Sequence, residues 1–137
     1  IIDAGEAGDI HPANKQAVGY RLALQALSKT YNRNVACESP RFEKAISEGN
    51  TLRISFEFTY NGLKVTDPNG MVKGFAVAGA DKKYHWAQAK LDGSEVLVSS
   101  PDVQQPVYVR YAWANNPADV NVFNSADLPL IPFRTDK

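Results

Sequence analysis

Cysteine is almost missing from this chain: among 137 residues there is one, Cys37. A single thiol forms no internal disulfide, and no cysteine–histidine spacing suggests structural zinc. An excess of either charge is missing too. Fifteen Lys and Arg balance fifteen Asp and Glu, so the electrostatics give no reason to expect DNA, RNA or an anionic membrane as partner. The longest apolar runs fall far short of the ~20 residues that cross a bilayer. No signal-peptide pattern is visible. The chain opens instead on Ile1-Ile2-Asp3, which is β-prone, lacks an initiator methionine and reads as the continuation of a preceding segment.

A nucleophile is also missing. There is no G-x-S-x-G elbow and no G-D-S-x stretch. Ser28, Ser39, Ser47, Ser55, Ser94, Ser99, Ser100 and Ser125 fall in an amphipathic helix, at strand positions or in turns. None stands at the strand-to-helix junction that exposes a nucleophilic hydroxyl. Cys37, ahead of Glu38 in a loop, reads as a buried or inert thiol, with pairing to a base as the alternative. No metal or cofactor is expected, and there is no internal repeat.

What is present is a 44% apolar share, enough for a core, and one organising stretch from Asp3 to Tyr31. Asp3, Glu6, Asp9 and His11 lie among Gly5, Gly8 and Pro12, which argues for a shaped loop. Asn14 can cap the helix predicted from about Lys15 to Thr30. Ala17, Tyr20, Leu24, Leu27 and Tyr31 recur on one face at steps of three and four, widened by Val18, Leu22, Ala23 and Ala26. So broad an apolar face wants a large partner surface, such as the side of a parallel sheet.

Beyond residue 34 the period changes to two. A short strand is predicted at 41–47, with a helical turn competing because Phe42 and Ile46 are four apart. Leu52, Ile54, Phe56 and Phe58 alternate with Arg53, Ser55, Glu57 and Thr59, the pattern of a half-buried strand. Asn61-Gly62 predicts a hairpin returning through Leu63 to Thr66, and Asp92-Gly93 predicts another. Further strands are expected around Phe75 and Val77, from Tyr84 to Leu91, from Glu95 to Ser99 and from Val107 to Ala114. The last of these puts Val107, Val109, Tyr111 and Trp113 on one side. The tail from Asn115 is turn-rich. Seven or eight short strands with regular turns point to an antiparallel sandwich or a partly closed barrel.

A histidine on a shaped loop before a helix can serve as general base if a carboxylate holds its ring. His11 has that setting, and Asp9, Glu6 or Asp3 can orient it. In the competing reading His11 is a capping or surface residue and the acids are solvated. His85, between Tyr84 and Trp86 in a strand, reads as structural. Tyr84, Trp86, Tyr108, Tyr111 and Trp113 fall on neighbouring strands, so they either pack a core or interface or stack on sugar rings. Arg110, Asn115, Asn116 and Arg134 are candidate rim contacts of a cleft.

The stretch GDIHPANKQAVGYRLALQAL resembles the last block of the sialate O-acetylesterase family, within the SGNH serine hydrolases. The resemblance continues through KGFAVAGADKKYHWAQAKLDGSEVLVSSP and VRYAWANNP to NSADLPLIPFRTD, and so covers nearly the whole chain. It implies that His11 of D-I-H-P is the catalytic base. The orienting aspartate usually stands three residues before the histidine. That place is Gly8 here, and Asp9 is the nearest matching acid. The implied fold is mainly β: an antiparallel β-sandwich-like domain (35–137) preceded by the last catalytic loop and helix of an α/β, flavodoxin-like hydrolase domain (1–34). The implied function is the carboxyl-terminal part of a carbohydrate O-acetylesterase, with the nucleophilic serine on an upstream segment. Its partners are then that segment and an acetylated sugar, in a periplasmic or secreted setting. The alternative is a non-catalytic carbohydrate-binding or structural module.

Overall fold

The computed structural model describes residues 1–11, 13–117 and 120–136. Pro12, which the sequence places in the first loop, lies outside the described residues. The chain begins with that loop and then forms helix α1 (Lys15–Lys29). Asn14 starts the helix by accepting a hydrogen bond from the Ala17 N–H at 3.0 Å, satisfying one of the free donors of the first turn. The helix ends as Asn32 takes a left-handed φ of 51°, a conformation that asparagine tolerates better than most residues.

Among the described residues ten strands follow: β1 (Arg41–Glu48), β2 (Thr51–Glu57), β3 (Leu63–Val65), β4 (Phe75–Ala78), β5 (Tyr84–Trp86), β6 (Gln88–Asp92), β7 (Glu95–Ser99), β8 (Tyr108–Tyr111), β9 (Val122–Asn124) and β10 (Phe133–Arg134). They form two four-stranded sheets, β1-β2-β7-β6 and β10-β8-β4-β5, and a small β3-β9 ribbon. All pairings are antiparallel. The mainly β, antiparallel architecture expected from the alternating pattern is therefore the observed one.

The two sheets share one core. Leu52, Ile54 and Phe56 of β2 and Val96 and Val98 of β7 meet Phe75 and Val77 of β4, Val109 and Tyr111 of β8 and Phe133 of β10. Each large apolar side chain fully buried there contributes about 1.5–3 kcal/mol. Rings at the centre pack closely, with Phe75 and Tyr111 centroids 4.7 Å apart and Phe42 and Phe133 4.8 Å apart. On the opposite face of the first sheet, Arg53 reaches Glu48 and Asp92, both at 2.7 Å, and Glu95 at 3.0 Å. These contacts tie all four strands of that sheet together through one guanidinium.

The run from Tyr84 to Leu91, expected as one strand, is divided between the sheets. β5 pairs with β4 in the second sheet and β6 pairs with β7 in the first. The chain changes sheet at Ala87, whose N–H still bonds Phe75 O at 3.1 Å, and Val72 bridges to Ala89 beyond it. One side of the sandwich is thus partly closed. The Asp92-Gly93 hairpin forms as predicted, with Gly93 at a φ of 63°.

Asn61-Gly62 does not make a hairpin between β2 and β3. Phe58 and Tyr60 adopt left-handed φ values of 58° and 53°, which take the chain out of the first sheet, and β3 pairs with β9. A second local conformation changes a facing. β8 stops at Tyr111, and Ala112 has a φ of 49°. The alternation breaks there, so Trp113 is half exposed while Tyr111 is fully buried. Gly74 accommodates this corner. At a φ of 87° it accepts the Ala112 N–H at 2.8 Å, and a Cβ there would stand 3.3 Å from the Tyr111 ring.

Candidate functional site

The acids of the first loop are used mainly to shape it. Asp3 forms a two-pronged ion pair with Arg21 of α1, at 2.6 and 2.7 Å. This guanidinium holds the Asp3 carboxyl below the ordinary carboxylate range, against the opposing effect of partial burial. Glu6 accepts the Ala13 N–H at 3.2 Å, and its own carbonyl accepts the Asp9 N–H at 3.3 Å. Asp9 Oδ1 accepts the His11 N–H at 2.7 Å, the local turn that a short acidic side chain favours. The loop is therefore anchored to the helix at one end and folded on itself at the other. His11 is presented outward, beside an Ile10 that is 90% exposed.

Asp9 and His11 are brought together, but the contact runs from carboxylate to backbone amide. Asp3 is committed to Arg21 and Glu6 to Ala13. Of the three candidate orienting acids, Asp9 alone bonds His11 itself.

The helix behind this loop has its polarity reversed relative to an ordinary surface helix. Polar groups at four-residue intervals fasten it to the rest of the chain: Arg21 to Asp3, the Gln25 amide to the Cys37 carbonyl, and Lys29 to Glu38 at 2.7 Å. Ala17, Val18 and Leu24 are half-buried on that side. The other side carries Tyr20, Leu22, Ala23, Ala26, Leu27 and Tyr31 and faces solvent; Leu22 is 65% and Tyr31 68% exposed. No residue of α1 is buried. The large surface that the sequence demanded for this face is not supplied by the described residues.

The aromatic residues divide between core and surface. Tyr111 is fully buried, whereas Trp86 is 80% exposed. Register places Arg134, Arg110, Ala76 and Trp86 side by side across the outer face of the second sheet, and Tyr108, Ala78 and Tyr84 in the next row. Ala76, on the inner strand β4, leaves room for a trough of about 910 Å³ that includes Tyr84, Trp86, Arg110, Trp113 and Asn116 in its lining. Arg110 stacks on the Tyr84 ring at 3.8 Å and pairs with Asp136, while Arg134 lies 5.2 Å from the Trp113 ring centre. Sequence reasoning named the aromatic residues and both arginines. It missed Ala76 beneath the trough, because an alanine in a strand carries no signal of its own.

His85 sits at the sheet edge with Nδ1 3.5 Å from Asp102 Oδ2, on an exposed surface. Cys37 is buried and free. No group of three or more potential metal-ligating side chains occurs among the described residues, and no helix there is long and apolar enough to cross a membrane.

The chain is similar to a solved structure described as a novel carbohydrate acetylesterase from Xanthomonas citri. Identity is 44%, the match covers 100% of this chain, and the TM-score is 0.93. It covers 32% of the other protein, so this chain spans about a third of that length. No family model matches the sequence, and no curated protein matches it.

Proposed function

We propose that this chain is the carboxyl-terminal part of a carbohydrate O-acetylesterase of the sialate O-acetylesterase kind, in which His11 is the general base. The observation that carries the reading is the placement of His11: outward, on an anchored loop, immediately before a helix whose apolar side is uncovered. In this reading residues 1–34 complete an α/β hydrolase domain of the SGNH type, and residues 35–137 are its accessory sandwich. The uncovered side of α1 packs against the sheet of that domain. Similarity to a carbohydrate acetylesterase three times as long supports the reading, as does the absence of a nucleophile setting in this sequence.

The chemistry is acyl transfer. A serine on the upstream segment attacks the acetyl carbonyl carbon while His11 takes its proton. The protonated imidazole then passes that proton to the departing sugar oxygen, leaving acetyl-serine. His11 next deprotonates water as it attacks the acyl carbon, and then returns that proton to the serine oxygen as the acyl–serine bond breaks and acetate leaves. Asp9 is assigned to orient His11. An acetylated sugar is the substrate, and an extracytoplasmic location follows from that substrate.

The test is acetate release from an acetylated sialic acid and an acetylated xylo-oligosaccharide, with intact mass measured on the same sample. The 15.0 kDa chain alone is expected to be silent. Mixed with the upstream segment it is expected to turn over, and His11→Ala to lower the rate by roughly 10²–10⁴-fold. Turnover by the chain alone, as a single species, would overturn the proposal.

A further inference from the structure

The trough on the outer face of the second sheet is formed without any residue of the His11 loop or α1. Its two tryptophans flank β4. Trp86 stands on β5, and Trp113 is turned to this face by the left-handed Ala112. With strands ~4.8 Å apart, β5 and β8 are separated by about 10 Å, and Trp113 lies two residues past the end of β8, so the groove has room for about two sugar rings. Between them the small side chain of Ala76 keeps the groove open.

We propose that this trough is a non-catalytic carbohydrate-binding site, with Trp86 and Trp113 as the platforms on which successive pyranose rings stack. Exposed indole rings are costly to leave in water, and the C–H faces of sugars cover such rings without asking for a charge. The polar groups around the trough suit a neutral, hydroxyl-rich ligand. Arg110 is already paired with Asp136 and held against Tyr84, so it offers directed N–H groups rather than an uncompensated charge. Arg134 covers part of Trp113, yet that ring is still 52% exposed. Asn116 adds an amide at the rim. The choice of sugar as ligand rests on the esterase reading above. The geometry of the site does not.

Trp86 and Trp113 are the only tryptophans in the chain, so fluorescence excited selectively at tryptophan reports on this site. Titration of the 137-residue chain with xylohexaose, cellohexaose and sialyl-lactose is expected to give a saturable blue shift and protection from iodide quenching with at least one of them. By calorimetry, Trp86→Ala and Trp113→Ala each weaken that binding about tenfold, while His11→Ala leaves it unchanged. Trp86 is 80% exposed, so its removal leaves the fold intact. Three results overturn the proposal: no saturable response to any of the sugars, binding that survives both tryptophan substitutions, or burial of the tryptophans with rising protein concentration in the absence of sugar. The last would make the trough a protein-docking face. Sugar binding that persists while the acetate assay with the upstream segment fails would uphold this site and sink the esterase reading.

Discussion

Replacing Asn124 by alanine should cost this fold about 4 kcal/mol. The residue is fully buried at the end of β9, and its amide uses its full hydrogen-bonding capacity. Nδ2 donates to the carbonyls of Glu38 at 3.0 Å and Phe58 at 2.9 Å, while Oδ1 accepts from the N–H groups of Ala126 at 3.1 Å and Leu128 at 3.0 Å. One side chain therefore joins three segments: the linker after α1, the chain leaving β2, and the turn after β9. Each lost bond costs about 1 kcal/mol net, and the four together about 4 kcal/mol, because alanine offers nothing to the groups left behind. Against a total stability of ~5–15 kcal/mol that is a large loss, and it corresponds to a fall of about 10–15 °C in Tm. Urea unfolding followed by tryptophan fluorescence and far-ultraviolet circular dichroism measures it directly. Asn124→Asp separates the two halves of the argument. The carboxylate still accepts from Ala126 and Leu128 but faces two carbonyl oxygens it cannot satisfy. Burial beside those carbonyls raises its folded-state pKa. A raised folded pKa means that protonation favours the folded state, so the Asp variant should regain stability relative to the native chain as pH falls from 7 to 5. A loss below about 1 kcal/mol for the Ala variant, or a pH-independent deficit for the Asp variant, would refute the reasoning.

Two further outcomes follow from the surface. Leu22→Glu combined with Leu27→Glu should reduce self-association of the chain in sedimentation velocity without lowering its Tm, since both side chains lie on the uncovered side of α1; a folding defect would mean that this side is needed internally. Acidification should release the second sheet's outer edge. Asp136, bound to Arg110, has its carboxyl lowered to about 2 from 3.8, so its contribution is fully present above about pH 4 and is lost as pH falls through 2. Asp136→Asn should flatten that part of a stability–pH profile recorded by urea unfolding.

The helix, the period-two strands and the Asp92-Gly93 hairpin were legible because each rests on local chemistry: a capping asparagine, a repeating apolar interval, a glycine at positive φ. Asn61-Gly62 carries the same kind of signal and misleads. Phe58 and Tyr60 turn the chain before it, and bulky residues give no warning of a left-handed conformation. The tail concealed β9 and β10, which at three and two residues are too short to show a period. Of the candidate site, the setting of His11 was readable from its neighbours, and the reversed polarity of α1 was half visible as an apolar face too broad for the rest of the chain. The ties from Arg21, Gln25 and Lys29 depend on groups brought together only by folding. Asn124 gave no signal at all, since its four partners lie in three separate stretches of sequence.

The strand order also sets the tempo of assembly. β1–β2, β4–β5 and β6–β7 are neighbours in sequence and can pair on the ~1–10 μs scale of hairpins. Joining them is a different matter: Thr51 must find Ser99, and Leu63 must find Asn124. Such distant pairings carry a heavy loop-closure cost and slow comparable all-β domains to roughly milliseconds or seconds. The pairing of Phe133 with Tyr111, which completes the second sheet, closes a shorter loop than either. Until those distant pairings form, open strand edges stand beside the uncovered apolar side of α1, and both favour association of incompletely folded chains.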